Sequence, residues 1–557
     1  MRKRSHLILL FILMLASYVG FAQGTTPNIT WQKTLGGSGS DVLKAMCVGS
    51  DKSIVLCGYS NSGTSGNKSN SSFGGYDYWV IKLDASGNVM WNKTFGGGRD
   101  DLASAVINTS DGGYLVGGSS ISNKSGTKTS DSYGNSYDYW IVKLDGNGNV
   151  QWDRTMGGTY TDRLTSLAEL PDGKYVVGGY AYSSNTGNKS LANLGTESNA
   201  DYWTVIVNKD GSDGAQKIFG GGSHDVMTCL SATGSSSYYA AGYSYSTKRA
   251  GAKSKNGYGN NDYYIVRYNL STKKTEYQND FGGKLSDYLT SMQALPDNSC
   301  ILGGYSNSYK SNSKKDNFYG VTDFWVIKLK SDGSKQWDKT IAGGAGGDYL
   351  MSVQQTKDKG FILGGYSNSN AGHNKTANSK GGYDYWIVKI DSLGKVQWDK
   401  TIGGNGDDIL TAVYETAANE YVVAGTSGSA QSGDKTSGLV GGSSTDYWVM
   451  HLGAATATSK ASEVPVSNST AEYNMYKLDI MPNPVKDILN VRYVAPANSR
   501  LNFVIYTSNG RAVLQSMLTS DGTAGTRSFN MSSLPGGSYF AVMYVNGVKL
   551  SKAFTKQ

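Results

Sequence analysis

The sequence between residues 28 and 453 repeats one pattern seven times, with a period of about 61 residues. A unit of this length buries little surface by itself, so each copy is expected to pack against its neighbours. This self-similarity outweighs chain length, which alone would suggest about three or four separate domains.

Three landmarks recur in the copies. The first is a tryptophan that precedes a threonine and two glycines, at Trp31, Trp91, Trp152, Trp337 and Trp398, with Ala215 and Tyr277 in the same slot of two divergent copies. The second is an aspartate four residues after the glycine pair, at Asp41, Asp101, Asp162, Asp225, Asp287, Asp348 and Asp408. The third is an aspartate that opens an aromatic and then apolar run, at Asp77, Asp138, Asp201, Asp262, Asp323, Asp384 and Asp446.

Each copy contains four short apolar runs separated by turn residues, which predicts four strands. In the second copy the runs cover 102–108, 114–118, 139–144 and 150–156. One connection reads Asp111-Gly112-Gly113, where glycine adopts a positive φ at low cost. Seven four-stranded units predict an all-β fold class, a seven-bladed β-propeller over 28–453.

The phase of the repeat favours a closed ring over an open solenoid. The region begins with a lone strand at 28–35, and the seventh copy stops after its third strand, at Leu452. We expect the strand at 28–35 to complete the seventh blade, which would hide two sheet edges.

In their glycine pair, aspartate and later Gly-Tyr or Gly-Ser, the repeats resemble the bacterial seven-bladed propeller repeats of the SBBP type. The resemblance covers roughly 28–453 and implies the fold. It implies no particular activity, because propellers serve as enzymes, lectins and scaffolds alike.

The N-terminus has the three parts of a secretory signal peptide over residues 1–22. Basic Arg2, Lys3 and Arg4 precede an apolar run at 7–16, and small residues precede an expected cut after Ala22. The net charge of +8 is confined to this segment and to the tail, since the middle of the chain holds 40 basic and 40 acidic residues. That balance gives no support for nucleic-acid binding, which needs a basic stripe.

The chain has only four cysteines, too few for a disulfide framework. Cys47 and Cys57 lie on neighbouring predicted strands, so a bridge between them is left open. Cys229 and Cys300 fall in different copies and are expected to be small buried apolar residues.

After a linker at 454–474, residues 475–557 alternate in the manner of β-strands and contain a series of ordered motifs. These are Met481-Pro482-Asn483-Pro484, Asn509-Gly510, Leu534-Pro535-Gly536-Gly537-Ser538-Tyr539 and a basic last strand at 549–556. Their order resembles the type A C-terminal domain of type IX secretion cargo. The resemblance implies a small immunoglobulin-like β-sandwich whose sorting motif comprises Pro482, Asn483, Pro484, Leu534, Pro535, Gly537 and Tyr539.

The same resemblance implies the partners and the destination of the chain. The partners are the outer-membrane translocon of type IX secretion and a sortase-like protease, which releases the cargo or joins it to anionic lipopolysaccharide. The destination is the medium or the outer-membrane surface of a Gram-negative bacterium.

Long loops rich in Gly, Ser and Asn join the second and third strands of the copies and must emerge on one face. Most carry a lysine near the middle, at Lys68, Lys128, Lys189, Lys253, Lys375 and Lys435. Loops on a rigid scaffold are the usual place for binding, so these lysines are candidate binding residues; a repeated loop residue is equally compatible with a structural role.

The two aspartate series have two interpretations. An aspartate just before a strand commonly accepts backbone N–H bonds, which makes both series structural. Loop carboxylates also suit calcium, so a calcium site is the alternative, although no EF-hand pattern occurs and no other cofactor or metal is expected.

Catalysis has little support in the sequence. His224, His373 and His451 fall in different copies, and the motifs of zinc and serine hydrolases are absent. Ser331-Asp332-Gly333 is similar to the Asp-box of sialidase propellers, which also need an arginine triad. The propeller arginines are Arg99, Arg154, Arg163, Arg249 and Arg267.

Aromatic pairs such as Tyr78-Trp79 and Tyr385-Trp386 are expected to fill the space between blades, and a carbohydrate platform is the less favoured interpretation. The sequence therefore predicts a secreted or surface-attached propeller that serves as a binding or adhesion module. Its ligand would be an extracellular glycan or protein. The alternative is a secreted glycan-active enzyme of the hydrolase or lyase kind.

Overall fold

The computed structural model describes residues 26–453, apart from 197, 235, 249–251 and 443, and residues 477–557, apart from 496, 498, 508–511, 522–523 and 546–547. The predicted signal peptide at 1–22, the predicted linker at 454–474 and the Asn509-Gly510 turn lie outside the described residues. The chain divides into two compact units, Met1–Thr458 and Ser459–Gln557. None of the described residues forms a helix long and apolar enough to cross a membrane.

The first unit consists of seven four-stranded antiparallel sheets, which we number as blades 1 to 7. Blades 1 to 3 contain β2 (Asp41–Val48), β3 (Ile54–Ser60), β4 (Asp77–Leu83), β5 (Val89–Phe95); β6 (Asp101–Asn108), β7 (Tyr114–Ser120), β8 (Asp138–Leu144), β9 (Val150–Met156); and β10 (Asp162–Glu169), β11 (Tyr175–Ala181), β12 (Asp201–Val207), β13 (Asp213–Phe219). Blades 4 and 5 contain β14 (Asp225–Thr233), β15 (Ser237–Ser244), β16 (Asp262–Asn269), β17 (Lys274–Phe281); and β18 (Asp287–Ala294), β19 (Cys300–Ser306), β20 (Asp323–Leu329), β21 (Lys335–Ile341). Blades 6 and 7 contain β22 (Asp348–Gln355), β23 (Phe361–Ser367), β24 (Asp384–Ile390), β25 (Val396–Ile402); and β26 (Asp408–Ala417), β27 (Glu420–Ser427), β28 (Asp446–Gly453) with β1 (Asn28–Leu35).

Blade 7 takes its outermost strand from the other end of the unit. Its strand order is β1-β28-β27-β26, whereas the other six sheets are built from consecutive strands. β1 lies antiparallel to β28, with Gln32 opposite Met450 and Leu35 opposite Tyr447. The seam, where β1 pairs with β28, is therefore an antiparallel pairing with one register shift between Ile29 and Trp31, and it covers the edge of β28.

The first strand of each blade lies innermost, and hydroxyl groups join these strands around a central channel. In five junctions a Ser or Thr donates to a carbonyl oxygen of the next first strand: Ser104 to Leu164 (2.6 Å), Thr165 to Met227 (3.0 Å), Thr228 to Leu289 (2.9 Å), Thr290 to Leu350 (2.5 Å) and Thr411 to Leu43 (3.2 Å). The last bond joins blade 7 to blade 1. A cavity of about 250 Å³ is lined by the first strands of all seven blades. The first unit is thus a seven-bladed β-propeller, as the sequence predicts.

Adjacent blades also interlock through their third strands. The phenol of the second residue donates to the carbonyl oxygen of the third residue in the next blade, in the pairs Tyr78–Trp140, Tyr139–Trp203, Tyr202–Tyr264, Tyr263–Trp325, Tyr385–Trp448 and Tyr447–Trp79, at 2.9–3.1 Å. In the remaining junction the ring of Phe324 packs on Trp386 at 4.7 Å. All these rings are buried, so the aromatic pairs belong to the core between blades.

The tryptophans before the glycine pairs have a different position. They lie on the outermost strands, where Trp91, Trp152 and Trp337 are partly exposed and donate to carbonyl oxygens of the next blade's turn between its third and fourth strands, at 3.1–3.3 Å. Trp31 packs in the same way against Gly87. This series ties neighbouring blades together at the outer rim, whereas the fully buried tryptophans are those of the third strands.

The second unit is a small sandwich of two sheets, in the order β29-β30-β33 and β32-β31-β34-β35. Its strands are β29 (Lys477–Met481), β30 (Ile488–Val494), β31 (Arg500–Thr507), β32 (Ala512–Thr519), β33 (Gly525–Asn530), β34 (Gly537–Val545) and β35 (Val548–Lys556). Leu489, Val491, Leu501, Phe503 and Met543 are among the residues of its single core. The all-β fold class predicted for both units is confirmed.

The motifs predicted to direct sorting converge on the last strand. Asn483 accepts a hydrogen bond from the Thr555 backbone at 3.0 Å, and Val485 bonds to the same residue. The Tyr539 ring stacks on Phe554, and its hydroxyl donates to the Pro535 carbonyl oxygen at 2.8 Å. The early and late motifs thus lie at one end of one small fold.

The third-strand contact at the seam yields a direct test. We expect Tyr447→Ala to destabilise the propeller by about 3–5 kcal/mol, because it empties a buried site between blades 7 and 1. Tyr447→Phe should cost only about 1 kcal/mol, since it removes one hydrogen bond and recreates the arrangement that Phe324 has naturally. Urea unfolding of the purified variants measures both values. Equal losses in the two variants would mean that ring packing does not hold the seam.

Candidate functional site

The face of the propeller that carries the long loops is fixed by strand direction. In each blade the first and third strands begin, and the second and fourth strands end, at the same face. The loops between second and third strands and the connections between blades therefore emerge together. We call this face the loop face.

The first aspartate series holds the connections between blades. In every blade the carboxylate at the start of the first strand accepts a bond from the backbone N–H of the preceding glycine segment, at 2.7–2.9 Å. In six blades it also accepts a bond from the hydroxyl of a serine at the start of the long loop, at 2.7–3.0 Å. Each carboxylate thus joins two loops of the loop face.

The second aspartate series holds the far ends of the long loops. Each carboxylate accepts a backbone N–H bond from a residue four to seven positions earlier, at 2.5–2.6 Å. Both series are almost completely buried. All fourteen aspartates therefore cap turns, which is their structural interpretation.

The two series meet at the junctions between blades. A Cβ atom on Gly96 would lie 1.7 Å from Asp77 Oδ1 and 2.9 Å from Asp101 Oδ2. The same crowding by aspartates of adjacent blades occurs at Gly36, Gly220 and Gly282. At these four junctions two carboxyl groups occupy the space of a side chain, whereas Ala342 takes the equivalent position before Asp348.

The predicted lysine series lies beneath the loop face. Lys68, Lys128, Lys189, Lys253, Lys375 and Lys435 are at most 2% exposed. Lys68 Nζ donates to the carbonyl oxygens of Ser62 (3.1 Å) and Asn70 (2.9 Å), and Lys435 donates to that of Ser429 (2.9 Å). Blade 5 has an equivalent in Lys314, which is equally buried and follows Ser308 by the usual six residues, and which is absent from the predicted series.

This burial bears directly on the binding role predicted for the lysines. An ammonium group that is buried and donates its hydrogen bonds to carbonyl oxygens of its own loop is not accessible to a ligand. The geometry favours the structural alternative, in which each lysine holds its loop closed between two aspartates. In blade 4 Lys253 keeps its bond to the Ser246 carbonyl oxygen and adds an ion pair with Asp280 of β17, at 2.5 Å.

The buried charges alter one another's ionisation. Burial, reinforced by the neighbouring carboxylate, raises the pKa of Asp138 to about 8 and that of Asp77 to about 7. Burial also lowers the pKa of Lys68 and Lys128 to about 8. Among the described residues no group of three or more His, Cys, Asp or Glu side chains could hold a metal ion, so the calcium alternative has no cluster there to support it.

Partly exposed tyrosines surround part of the loop-face end of the channel, above these buried charges. Six partly exposed tyrosines of blades 4 to 6 contact one another in sequence, and we call them the tyrosine crescent: Tyr243, Tyr288, Tyr305, Tyr349, Tyr366 and Tyr383. Ring centroids are 5.0–5.3 Å apart along the series. Edge-to-face contacts alternate with near-parallel ones, which fixes the ring orientations.

Strand register explains the crescent. Tyr288 lies opposite Tyr305 within blade 5, and Tyr349 lies opposite Tyr366 within blade 6. Tyr243 then reaches Tyr288, and Tyr305 reaches Tyr349, across the gaps between blades. The crescent was not predicted from the sequence, although a Gly-Tyr pair at the end of a second strand combined with Asp-Tyr at the start of the next first strand would have indicated it.

The part of the loop-face channel opening that the crescent does not line carries charged side chains. The Arg163 guanidinium lies 3.6 Å from the centre of the Tyr137 ring, and the Tyr137 hydroxyl donates to Asp100 at 3.3 Å. Of the other described propeller arginines, Arg154 pairs with Asp213, Arg267 pairs with Glu276, and Arg99 donates to the side chain of Asn135 in the long loop of blade 2. The described arginines of the propeller therefore do not form a triad.

The histidines and cysteines are likewise separate. His224 contacts Tyr182, whereas His451 hydrogen-bonds to Thr30 on the outer strand of blade 7. Cys47, Cys57, Cys229 and Cys300 are all buried free thiols, and burial raises the pKa of Cys47 to about 12. The bridge that the sequence left open between Cys47 and Cys57 is not formed.

A comparison with protein families decides the nature of the second unit. Residues 479–557 match the family described as the secretion system C-terminal sorting domain. The chain carries a type IX secretion sorting tail. The tail implies export through that machinery, whose components are its partners, to the medium or the cell surface. The match does not extend to the propeller, and its resemblance to SBBP repeats stays a prediction.

Comparisons of the whole chain are less informative. No curated protein matches it. Among solved structures, the chain is similar to the WD40 domain of Neurospora crassa Pan2 (8% identity, TM-score 0.40, 75% of this chain and 95% of that one) and to an ulvan lyase of polysaccharide lyase family 25 (9%, 0.41, 74% and 95%). It is also similar to a fungal alcohol oxidase of the AA5 family (11%, 0.35, 96% and 100%). At these values the similarities carry no argument about function, and the propeller assignment depends on the strand pairing.

The buried carboxylates predict a dependence of stability on pH. A group whose pKa rises on folding, from 3.8 to about 8 for Asp138, contributes stability that is lost as the pH rises through the folded value. The melting temperature of the purified chain should therefore fall between pH 5 and pH 7.5. Asp138→Asn, which cannot ionise, should make this decrease smaller.

Asp145 in the same blade provides the matched control. It lies in an exposed turn, and hydrogen bonds to Asn149 lower its pKa, so it is ionised across this range. Asp145→Asn should leave the slope of melting temperature against pH unchanged. A melting temperature that rises between pH 5 and pH 7.5 in the unmodified chain would contradict the ionisation of the ring.

Proposed function

We propose that the chain is an exported binding module, in which the sorting domain directs the propeller out of the cell and the loop face binds an extracellular ligand. The observation that carries the binding role is the tyrosine crescent. Partly exposed, mutually fixed aromatic rings are the groups that dominate binding at protein surfaces. They lie on loop-face strand ends that the buried aspartates and lysines hold rigid.

Rigidity is the second support for this role. Ordering of loops on binding costs affinity, so a surface that is already fixed binds more tightly for the same contacts. Here both ends of the long loops are anchored by buried carboxylates, and their middles by buried ammonium groups. The ligand is an extracellular glycan or protein, and the chain acts as an adhesion module at the cell surface or in the medium.

The rival function, a glycan-active enzyme, has no specific geometric support. Glycoside hydrolysis by the common route needs two carboxyl groups on either side of the scissile bond, about 5–9 Å apart. The buried carboxyl pairs of the propeller lie beneath the loop face and hold backbone groups, where no sugar reaches them. We therefore favour binding without turnover.

Export yields the first test of the proposal. A chain that lacks 479–557 should fold its propeller and accumulate in the periplasm, because the address and the propeller are separate units. Surface labelling and cell fractionation, with the complete chain as control, measure its location. The appearance of the truncated chain on the cell surface or in the medium would contradict the role of the tail.

Binding yields the second test. The complete chain, applied to a glycan array and to an array of extracellular proteins, should bind at least one class of ligand through the loop face. Tyr349→Ala should reduce that binding about tenfold or more. Leu393→Ala is the control, since Leu393 is 70% exposed in a turn on the opposite face.

Two outcomes would defeat the proposal. Binding that is equally reduced by both substitutions, or by neither, would mean that the loop face is not the binding surface. Hydrolysis or elimination of any arrayed glycan, followed by release of reducing ends, would favour the enzyme instead.

A further inference from the structure

We propose that the tyrosine crescent is a binding site for an uncharged glycan. This inference rests on the proposed function and specifies the ligand class of the same site. It follows from three properties of the crescent: the chemistry of its side chains, the tyrosine surroundings of its central rings, and the limitation of its continuous series of ring contacts to three of the seven blades.

The side chains of the crescent are all phenols. A phenol combines an apolar ring with one hydroxyl that donates and accepts hydrogen bonds. A pyranose has the complementary pair of features, since its C–H groups form an apolar face and its hydroxyls form a polar rim. Contacts between C–H groups and aromatic rings are individually weak, so a series of rings is needed to hold an extended saccharide.

The groups that act electrostatically on Tyr243, Tyr305 and Tyr366 are other tyrosines, whereas Tyr383 at one end of the crescent lies beside Asp407, which accepts its backbone N–H at 3.0 Å. The groups that influence Tyr305 are Tyr366, Tyr288, Tyr243 and Tyr349, all of them tyrosines. Tyr243 and Tyr366 likewise have only tyrosines as electrostatic neighbours. Burial raises the pKa of Tyr366 to about 12, so its hydroxyl stays neutral at any physiological pH. Among the described residues, none of the groups that act on these three rings is a cation that could pair with a sulfated or uronic-acid polymer.

A cation of the channel mouth, Arg163, lies outside the crescent and is already engaged. Arg163 of blade 3 lies on the Tyr137 ring, whose hydroxyl bonds to Asp100. An anionic ligand would be expected on that side. The alternative to the proposal is therefore an anionic ligand that binds at Arg163. The crescent and the Arg163 site can therefore be distinguished by single substitutions.

The crescent also interrupts the repeat. The positions of Tyr288 and Tyr349 are Val42, Leu102, Arg163, Val226 and Ile409 in the other blades. Residues that only hold the ring together recur in all seven blades, as the aspartates do. The second-strand tyrosines of the crescent recur at Tyr59 and Tyr180, but the first-strand tyrosines that link them into a continuous series occur only in blades 5 and 6, as expected for a ligand that contacts one side of the ring.

The experiment uses the purified complete chain and defined soluble polymers. The neutral probes are a mixed-linkage β-glucan, a xylan and a mannan; the anionic probes are alginate and chondroitin sulfate. Affinity electrophoresis identifies the bound polymers, and titration calorimetry gives the affinities. We expect a neutral polymer to bind, with an affinity that changes less than twofold between low and high salt.

The variants are chosen in one blade. Tyr305→Ala should weaken binding of the neutral polymer about tenfold or more. Tyr309→Ala is the matched control, because Tyr309 is a 59% exposed tyrosine of the same blade outside the crescent. Tyr305→Phe keeps the ring and removes the hydroxyl, so a smaller loss is expected; it also serves if the alanine variant fails to fold.

The outcomes separate this inference from the proposed function. Binding of an anionic polymer alone, lost in Arg163→Gln, would overturn the uncharged-glycan inference and leave a binding module in place. Binding of an arrayed protein alone, lost in Tyr349→Ala, would do the same. If no probe of any class bound through the loop face, both the inference and the proposed function would be wrong.

Discussion

The contact between the third strands of neighbouring blades is the interaction on which the propeller depends. Each junction places an aromatic ring against the ring or backbone of the next blade, and in six of seven a phenol also satisfies a buried carbonyl oxygen. The contact from Tyr447 of blade 7 to Trp79 of blade 1 joins the two ends of the unit. The ring therefore closes with the same geometry as an internal junction. A buried carbonyl group that lacked this donor would be costly.

Once the ring is closed, its loop face brings fourteen carboxyl groups and seven ammonium groups into the interior. Buried charges of this kind are rarely a net source of stability, because removal from water costs as much as pairing returns. Their value lies in the backbone groups that they satisfy, for every aspartate holds an N–H of a loop that has no strand partner. The arrangement converts long polar loops, which would otherwise move freely, into fixed walls around the channel.

Most of the architecture could be predicted from the sequence because its signals are local and repeated. Four apolar runs per copy indicate four strands, and the ordered motifs after residue 475 indicate the sorting domain. The lysine series shows the limit of this reasoning: a charged residue in a polar loop predicts exposure, and only the fold shows that Lys68 turns inward onto carbonyl oxygens. The tyrosine crescent was harder still, because Tyr305 and Tyr349 meet only through the register of two blades.

A repeated ring separates structural from functional residues within a single sequence. A residue needed at every junction, such as Asp101 or its six equivalents, appears in every copy, because the same contacts between loops recur at each junction. An asymmetric ligand makes no such demand, since it contacts some blades and not others. Positions that differ between copies while remaining chemically coherent across neighbours are therefore where recognition is to be sought. In this propeller they include Tyr288 and Tyr349, which join the partly exposed tyrosines of blades 4 to 6 into one series, whereas the lysines that recur in all seven blades hold the loops in place.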